Sequence, residues 1–222
     1  DVYKRQGLAG KEIKNVADLK GRTVLAQTDN KQGGLGFSIA KMLASAKLKI
    51  EDVDWKIVSF PDMPNALANK EADGAAVIEP FITSMLQRGV AEKWQNLADY
   101  YDGQTNGFLV YSQQLIEQRP EVGKRWMVGL IRGIRDFNAY VNSGKDASVI
   151  APLLAKAAGL SENLVGQIQW LRVDANGAVN KGSLQADQQQ LVDWGSIKQA
   201  LPIEQWLDTQ FTDYAVQQLG KG

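Results

Sequence analysis

The stretch SFPDMPNALANKEADGAAVIEPF, residues Ser59 to Phe81, holds a turn, a helix of two or three turns, a short apolar strand and then a Glu-Pro pair. Asn65 to Lys70 reads as the helix, and Gly74 to Ile78 as a strand apolar enough to be buried. Pro80 cannot donate to a sheet ladder and suits the first turn of a helix, so the strand ends there and a helix follows through Gly89. Glu79 is thereby placed at the carboxyl end of a buried strand.

Working upstream, RTVLAQ (Arg22 to Gln27) is a short apolar run after the Lys20-Gly21 turn. VDWKIV (Val53 to Val58) alternates apolar and polar residues, and both read as strands. Between them Leu35, Ile39, Met42, Leu43 and Ala46 recur at helical spacing, which completes a β-α-β unit. Strand, helix, strand, helix, strand predicts a parallel, doubly wound α/β lobe.

Downstream, NGFLVY (Asn106 to Tyr111) predicts one more strand, and the remainder is helical. Met127, Leu130, Ile131, Ile134, Phe137 and Val141 line one face of a long helix opening near Pro120. Gly129 and Gly133, one turn apart, predict close approach by another element. Further helices are expected over 146–158, 161–169, 184–199 and 211–219, with a polar loop from Asp174 to Gly182. Trp94, Trp126 and Trp170 lie in apolar patterns and read as packing anchors. A strand at 106–111 needs neighbours, so a second sheet is expected from residues before position 7. DVYKRQ, residues 1–6, has neither an initiator Met nor a signal-peptide core and reads as a non-native leader.

Composition narrows the chemistry. Lys+Arg 25 balances Asp+Glu 25, and no block of like charge appears, which argues against a nucleic-acid partner. With no cysteine and no histidine, the chain has no thiolate nucleophile, no disulfide framework and no imidazole base or metal ligand. No cofactor is implied.

The segments IKNVADLKGRTV, GGLGFSIAKMLASAKLKIEDVDWKIV, DMPNALANKEADGAAVIEPF and IEQWLDTQFTDYAVQQLG, in this order, resemble the solute-binding proteins of ABC importers for nitrate, sulfonate, taurine and thiamine precursors. The resemblance covers nearly all of the chain from Ile13. It implies a type II periplasmic-binding-protein fold of class α/β, two doubly wound lobes around a cleft. Residues 7–104 would be the second lobe with its lead-in. Residues 105–222 would be the return to the first lobe, mostly helical, with its opening strands missing. It also implies a monomeric component outside the cytoplasm, periplasmic or extracellular, with or without a lipoprotein anchor. Such a protein captures a small sulfonate, taurine-like or nitrogenous solute by lobe closure and delivers it to a membrane permease, with no covalent step. Two other classes share the fold: effector domains of transcriptional regulators, which need a helix-turn-helix upstream, and thiamine-pyrimidine-precursor synthases, which consume a histidine of their own.

Ligands of open α/β sheets sit outside the carboxyl ends of the strands, which selects the candidate ligand-binding residues. After the first strand, TDNKQGG offers Thr28, Gln32 and Gly33 with the free N–H groups of a helix start, suited to an anion such as a sulfonate. It matches neither GxxxxGK[ST] nor GxGxxG. After the second strand come Asp62, which also suits a helix N-cap, and Met63, an adaptable apolar wall. Glu79 and Phe81 follow the third strand, with helix-start stabilisation the competing role for Glu79. Thr105 and Asn106 mark the passage to the other lobe, Asn106 being a rim contact. Two carboxylates facing one cleft would favour a zwitterion or an amine-bearing heterocycle over a simple anion, a sign that Lys31 could reverse.

Overall fold

The computed structural model describes residues 2–5, 13–31, 33–171 and 173–222. The chain forms two compact units: Asp1–Gln104 with Gly182–Ala200, and Thr105–Lys181 with Leu201–Gly222. No helix among the described residues is long and apolar enough to cross a membrane.

Unit 1 is built on a five-stranded sheet of β1 (Val2–Arg5), β2 (Thr23–Ala26), β3 (Asp54–Ile57), β4 (Gly74–Ala76) and β5 (Ala91–Gln95), in the spatial order β3-β2-β4-β1-β5. β2 runs parallel to β3 and β4, while β1 runs antiparallel between β4 and β5. Residues 2–5, read as leader from the sequence, thus form a strand by backbone pairing, which asks little of side-chain identity.

Alternation along the strands sends side chains to two faces. Val24 and Ala76 join one core with Ile39, Met42 and Leu43 of α1 (Leu35–Ser45). Leu25, Ala75 and Val77 join the other, with Met63 and Leu67 of α2 (Met63–Ala68) and Met85 of α3 (Phe81–Gln87). The DLKG turn sets the entry. Asp18 accepts from the backbone N–H groups of Lys14 at 2.8 Å and Asn15 at 3.0 Å, bonds that hold its carboxyl below the usual range. Thr23 then ties strands together, donating its hydroxyl to Asp54 at 2.8 Å.

The sequence reading misses β5. AEKWQ buries only Ala91 fully, because an edge strand with charged outward residues carries little hydrophobic signal.

Unit 2 is helical among the described residues: α4 (Gln113–Gln118), α5 (Pro120–Ser143), α6 (Ala147–Ala158), α7 (Glu162–Val165) and α9 (Gln210–Leu219). Met127 and Ile131 of α5 pack with Phe211 and Ala215 of α9. The close approach falls at Gly123, where a Cβ would stand 2.8 Å from Phe211 Cε1, and not at Gly129 or Gly133, which have nothing within 4 Å. The strand expected over 106–111 is absent. Phe108, Leu109 and Val110 are exposed, and no described strand of this unit pairs with them. Tyr111 anchors the segment instead, donating its hydroxyl to the Gly123 carbonyl at 3.0 Å with its ring edge-on to Phe211. The helix expected over 161–169 shortens to α7, while Trp126 and Trp170 pack edge-to-face on Tyr111 and Phe137.

α8 (Lys181–Asp193) opens at the passage back to unit 1, so residues 182–200 do not continue unit 2 as a single run from 105 to 222 would. Asp187, 9% exposed, holds them there: it accepts from the Tyr101 hydroxyl at 2.8 Å and the Gln104 amide at 3.2 Å. Burial first, then this bond and the Asp187 charge, keep the Tyr101 phenol protonated well beyond its ordinary range.

Candidate functional site

Three connections leave the carboxyl ends of β3, β2 and β4, which are adjacent and parallel, so residues 58–62, 27–31 and 77–80 emerge along one edge of the unit 1 sheet. β2 leads to α1 on one face, and β4 leads to α3 on the other. Neighbouring strands whose connections part to opposite faces leave a crevice between them. By that rule a crevice is expected between the loop after β2 and the segment from Glu79 to Phe81.

In loop 27–34, Thr28 is exposed and Gly33 adopts a φ of 111°, a conformation that favours glycine. Gln32 lies outside the described residues. Gly34 occupies the N-cap of α1 without a side-chain cap, and no acidic residue stands in the first turn, so the positive end of the helix meets no carboxylate of its own. Asn30 is the residue that sequence reasoning overlooked. It is 5% exposed, and its Nδ2 is buried without an acceptor. A donor left so costs about 1–3 kcal/mol. Nothing in a polar TDN run distinguishes the residue that turns inward.

Glu79 turns its carboxylate back onto α3, accepting from the Thr83 N–H at 3.1 Å and the Thr83 hydroxyl at 2.9 Å. The helix-start role therefore holds for the carboxylate as it stands. Phe81 stacks on Phe60, ring centroids 5.9 Å apart, and is half-buried at the edge of the α2–α3 core. Asp62 is exposed at the N-cap of α2 but caps nothing with its side chain, which accepts from the Ser59 hydroxyl at 2.5 Å. Met63 is a correction: with no exposed surface it belongs to the core, because the α2 pattern turns it inward with Leu67. Asn106 is exposed in unit 2, and Thr105 beside it accepts from the Asn180 N–H at 3.1 Å. Two shallow grooves of about 240 and 430 Å³ in unit 2 contain none of these candidates.

The model of the NMT1/THI5-like family matches residues 5–140. The chain belongs to that family. Solved structures similar to this NMT1/THI5-like chain include the periplasmic aliphatic sulphonate binding protein SsuA from Escherichia coli, at 21% identity and a TM-score of 0.69. That likeness covers 94% of this chain and 65% of SsuA. The ligand-binding component of an ABC-type import system from Staphylococcus aureus, with zinc bound, is similar at 14% identity and a TM-score of 0.72, over 96% of this chain and 69% of that one. The desulfurization enzyme DSZB is similar at 18% identity and a TM-score of 0.66, over 98% and 76%. No curated protein sequence matches. At these identities the likeness shows fold: the NMT1/THI5-like chain has the α/β, type II periplasmic-binding fold. It spans 65% of the length of SsuA.

The cation of the NMT1/THI5-like loop is already engaged. Lys31 pairs with Glu51 of the 3-10 turn Ile50–Asp52, and the hydrogen bond from Lys31 holds the Glu51 carboxyl below its ordinary 4.5. Because the folded-state value is depressed, the stabilisation is present above 4.5 and is lost as pH falls through the lower, folded value. Glu51→Gln is expected to flatten that acid limb by a small amount, the carboxylate being 59% exposed and screened by salt. The freed ammonium should tighten anion binding about two- to threefold at low ionic strength. Urea midpoints against pH and binding isotherms at two salt concentrations check both.

Proposed function

We propose that this chain is the solute-binding part of an ABC importer, acting outside the cytoplasm and handing a small anionic solute of the sulfonate or taurine class to a membrane permease. Closure of two lobes on the solute would shift population toward the form that the permease accepts, by the differential affinity of the solute for that form. The reading is supported by membership of the NMT1/THI5-like family and by fold likeness to sulphonate-binding and import components.

The observation that carries the ligand class is the loop before α1: an uncapped helix start beside the unpaired Asn30 amide, at the switch point of the sheet. An anionic oxygen would supply the acceptor that Nδ2 lacks, after a side-chain rotation that brings the amide out of its present burial. The Glu79 carboxylate is held against α3 by the bonds it accepts from the Thr83 N–H and hydroxyl, which orient it without reducing its charge. No covalent step enters the proposal; with neither cysteine nor histidine the chain offers no thiolate nucleophile and no imidazole base.

Thermal unfolding against taurine, ethanesulfonate, nitrate, bicarbonate and an aminopyrimidine tests the reading. A solute at a hundred times its Kd adds about 2.7 kcal/mol, which raises the midpoint by roughly 5–10 °C in a chain of this size. Asn30→Ala is expected to weaken ethanesulfonate binding about tenfold while leaving the free protein no less stable, because the deleted amide makes no bond there. Silence across the panel would count against the binding role; a shift with nitrate alone would overturn the sulfonate class.

A further inference from the structure

Residues 182–200 reach the candidate loop from far along the chain. The Trp194 ring stacks on Phe37 in the first turn of α1, with centroids 5.5 Å apart and planes 8° from parallel. Ser196 donates its hydroxyl to the Lys31 backbone carbonyl at 2.8 Å, inside the loop itself. Next to Phe37, buried Ser38 donates to Gln104 at 2.6 Å, and Gln104 in turn donates to Asp187 at 3.2 Å. Phe37 and one loop carbonyl are thus held directly by the returning segment, and Ser38 is linked to it only through Gln104.

We propose that Trp194 and Ser196 are positioning residues for the anion-receiving loop, so that docking of 182–200 sets the loop geometry and a bound anion tightens that docking in return. The proposal rests on the binding role argued above. Ser196 is exposed and its bond ends on loop backbone, so the contact adds nothing to the core and acts only on the loop. A near-parallel stack fixes the rotation of Phe37, and hence of the turn whose N–H groups would face the solute. Holding the loop in its binding geometry beforehand lowers the ordering cost of binding. Coupling of this kind is reciprocal. Both ends of the segment are passages to unit 2, at 181/182 and 200/201, and the third passage, at 104/105, adjoins Gln104, which is bonded to Asp187 of the same segment.

Hydrogen exchange on the whole chain decides this without a ligand. Ser196→Ala and Trp194→Ala are expected to speed exchange of amides in 28–36 at least about fivefold with β2 and α2 unchanged, and Trp194→Phe to restore it. In a second arm, ethanesulfonate is expected to slow exchange over 186–198 in the wild type and to bind Trp194→Ala about tenfold more weakly. Unchanged loop exchange in Ser196→Ala, or a rise spread evenly over unit 1 in Trp194→Ala, overturns the proposal. If the wild type binds neither ethanesulfonate nor taurine, the functional reading fails, and the ligand-free arm still decides the positioning role.

Discussion

Gly36→Ala is expected to destabilise unit 1 by about 3 kcal/mol or more and to abolish solute binding at the α1 start. In an exposed helix interior this change would stabilise by up to about 1 kcal/mol, since alanine is the better helix former. Here the added Cβ would stand 1.8 Å from the Asn30 carbonyl oxygen and 2.7 Å from its carbon. Both are backbone atoms, which no rotamer change can move aside, so the loop must leave its place. The displaced loop is the one that carries Asn30 and leads into the helix start. Gly123→Ala serves as a milder comparison, because its nearest obstacle is the Phe211 ring at 2.8 Å, a side chain able to shift. Urea unfolding of both variants with ethanesulfonate isotherms checks the contrast; a Gly36→Ala protein as stable as the wild type would refute the close approach.

Met63→Ala is expected to cost about 2–5 kcal/mol, whereas Asp62→Ala next to it should stay within about 0.5 kcal/mol. Met63 has no exposed surface and sits in the core of Leu67, Val77 and Met85, so truncation leaves a cavity. Asp62 gives up one exposed bond with Ser59. Denaturant midpoints settle the difference. A Met63→Ala variant with unchanged stability but weakened binding would return Met63 to the cleft wall that its position after a strand suggested.

Those two neighbours show where reading the sequence stops. The spacing in MPNALA says that α2 has an inward face but leaves the phase of the short helix undetermined, so strand-end position outweighs burial for Met63. Glu79 is legible as a residue at the end of β4, because strand, Pro80 and helix follow in order. Its partner is a different matter: only the folded turn brings Thr83 under the carboxylate. Asn106 to Tyr111 has a strand's composition, yet pairing requires a neighbouring backbone, and composition cannot supply one.

The α/β class of unit 1, the alternation of β2 through α3 and the long α5 are legible in the residues, because periodicity and turn residues act over a few neighbours, and composition alone removes cysteine and histidine chemistry. The place of β5 at a charged edge and the inward turn of Asn30 emerge only on folding. So does the return of 182–200 to the α1 start, through Trp194 on Phe37 and Ser196 on Lys31. These join residues as much as 165 positions apart, and contacts of that range are set by which surfaces remain to be buried once the local elements exist.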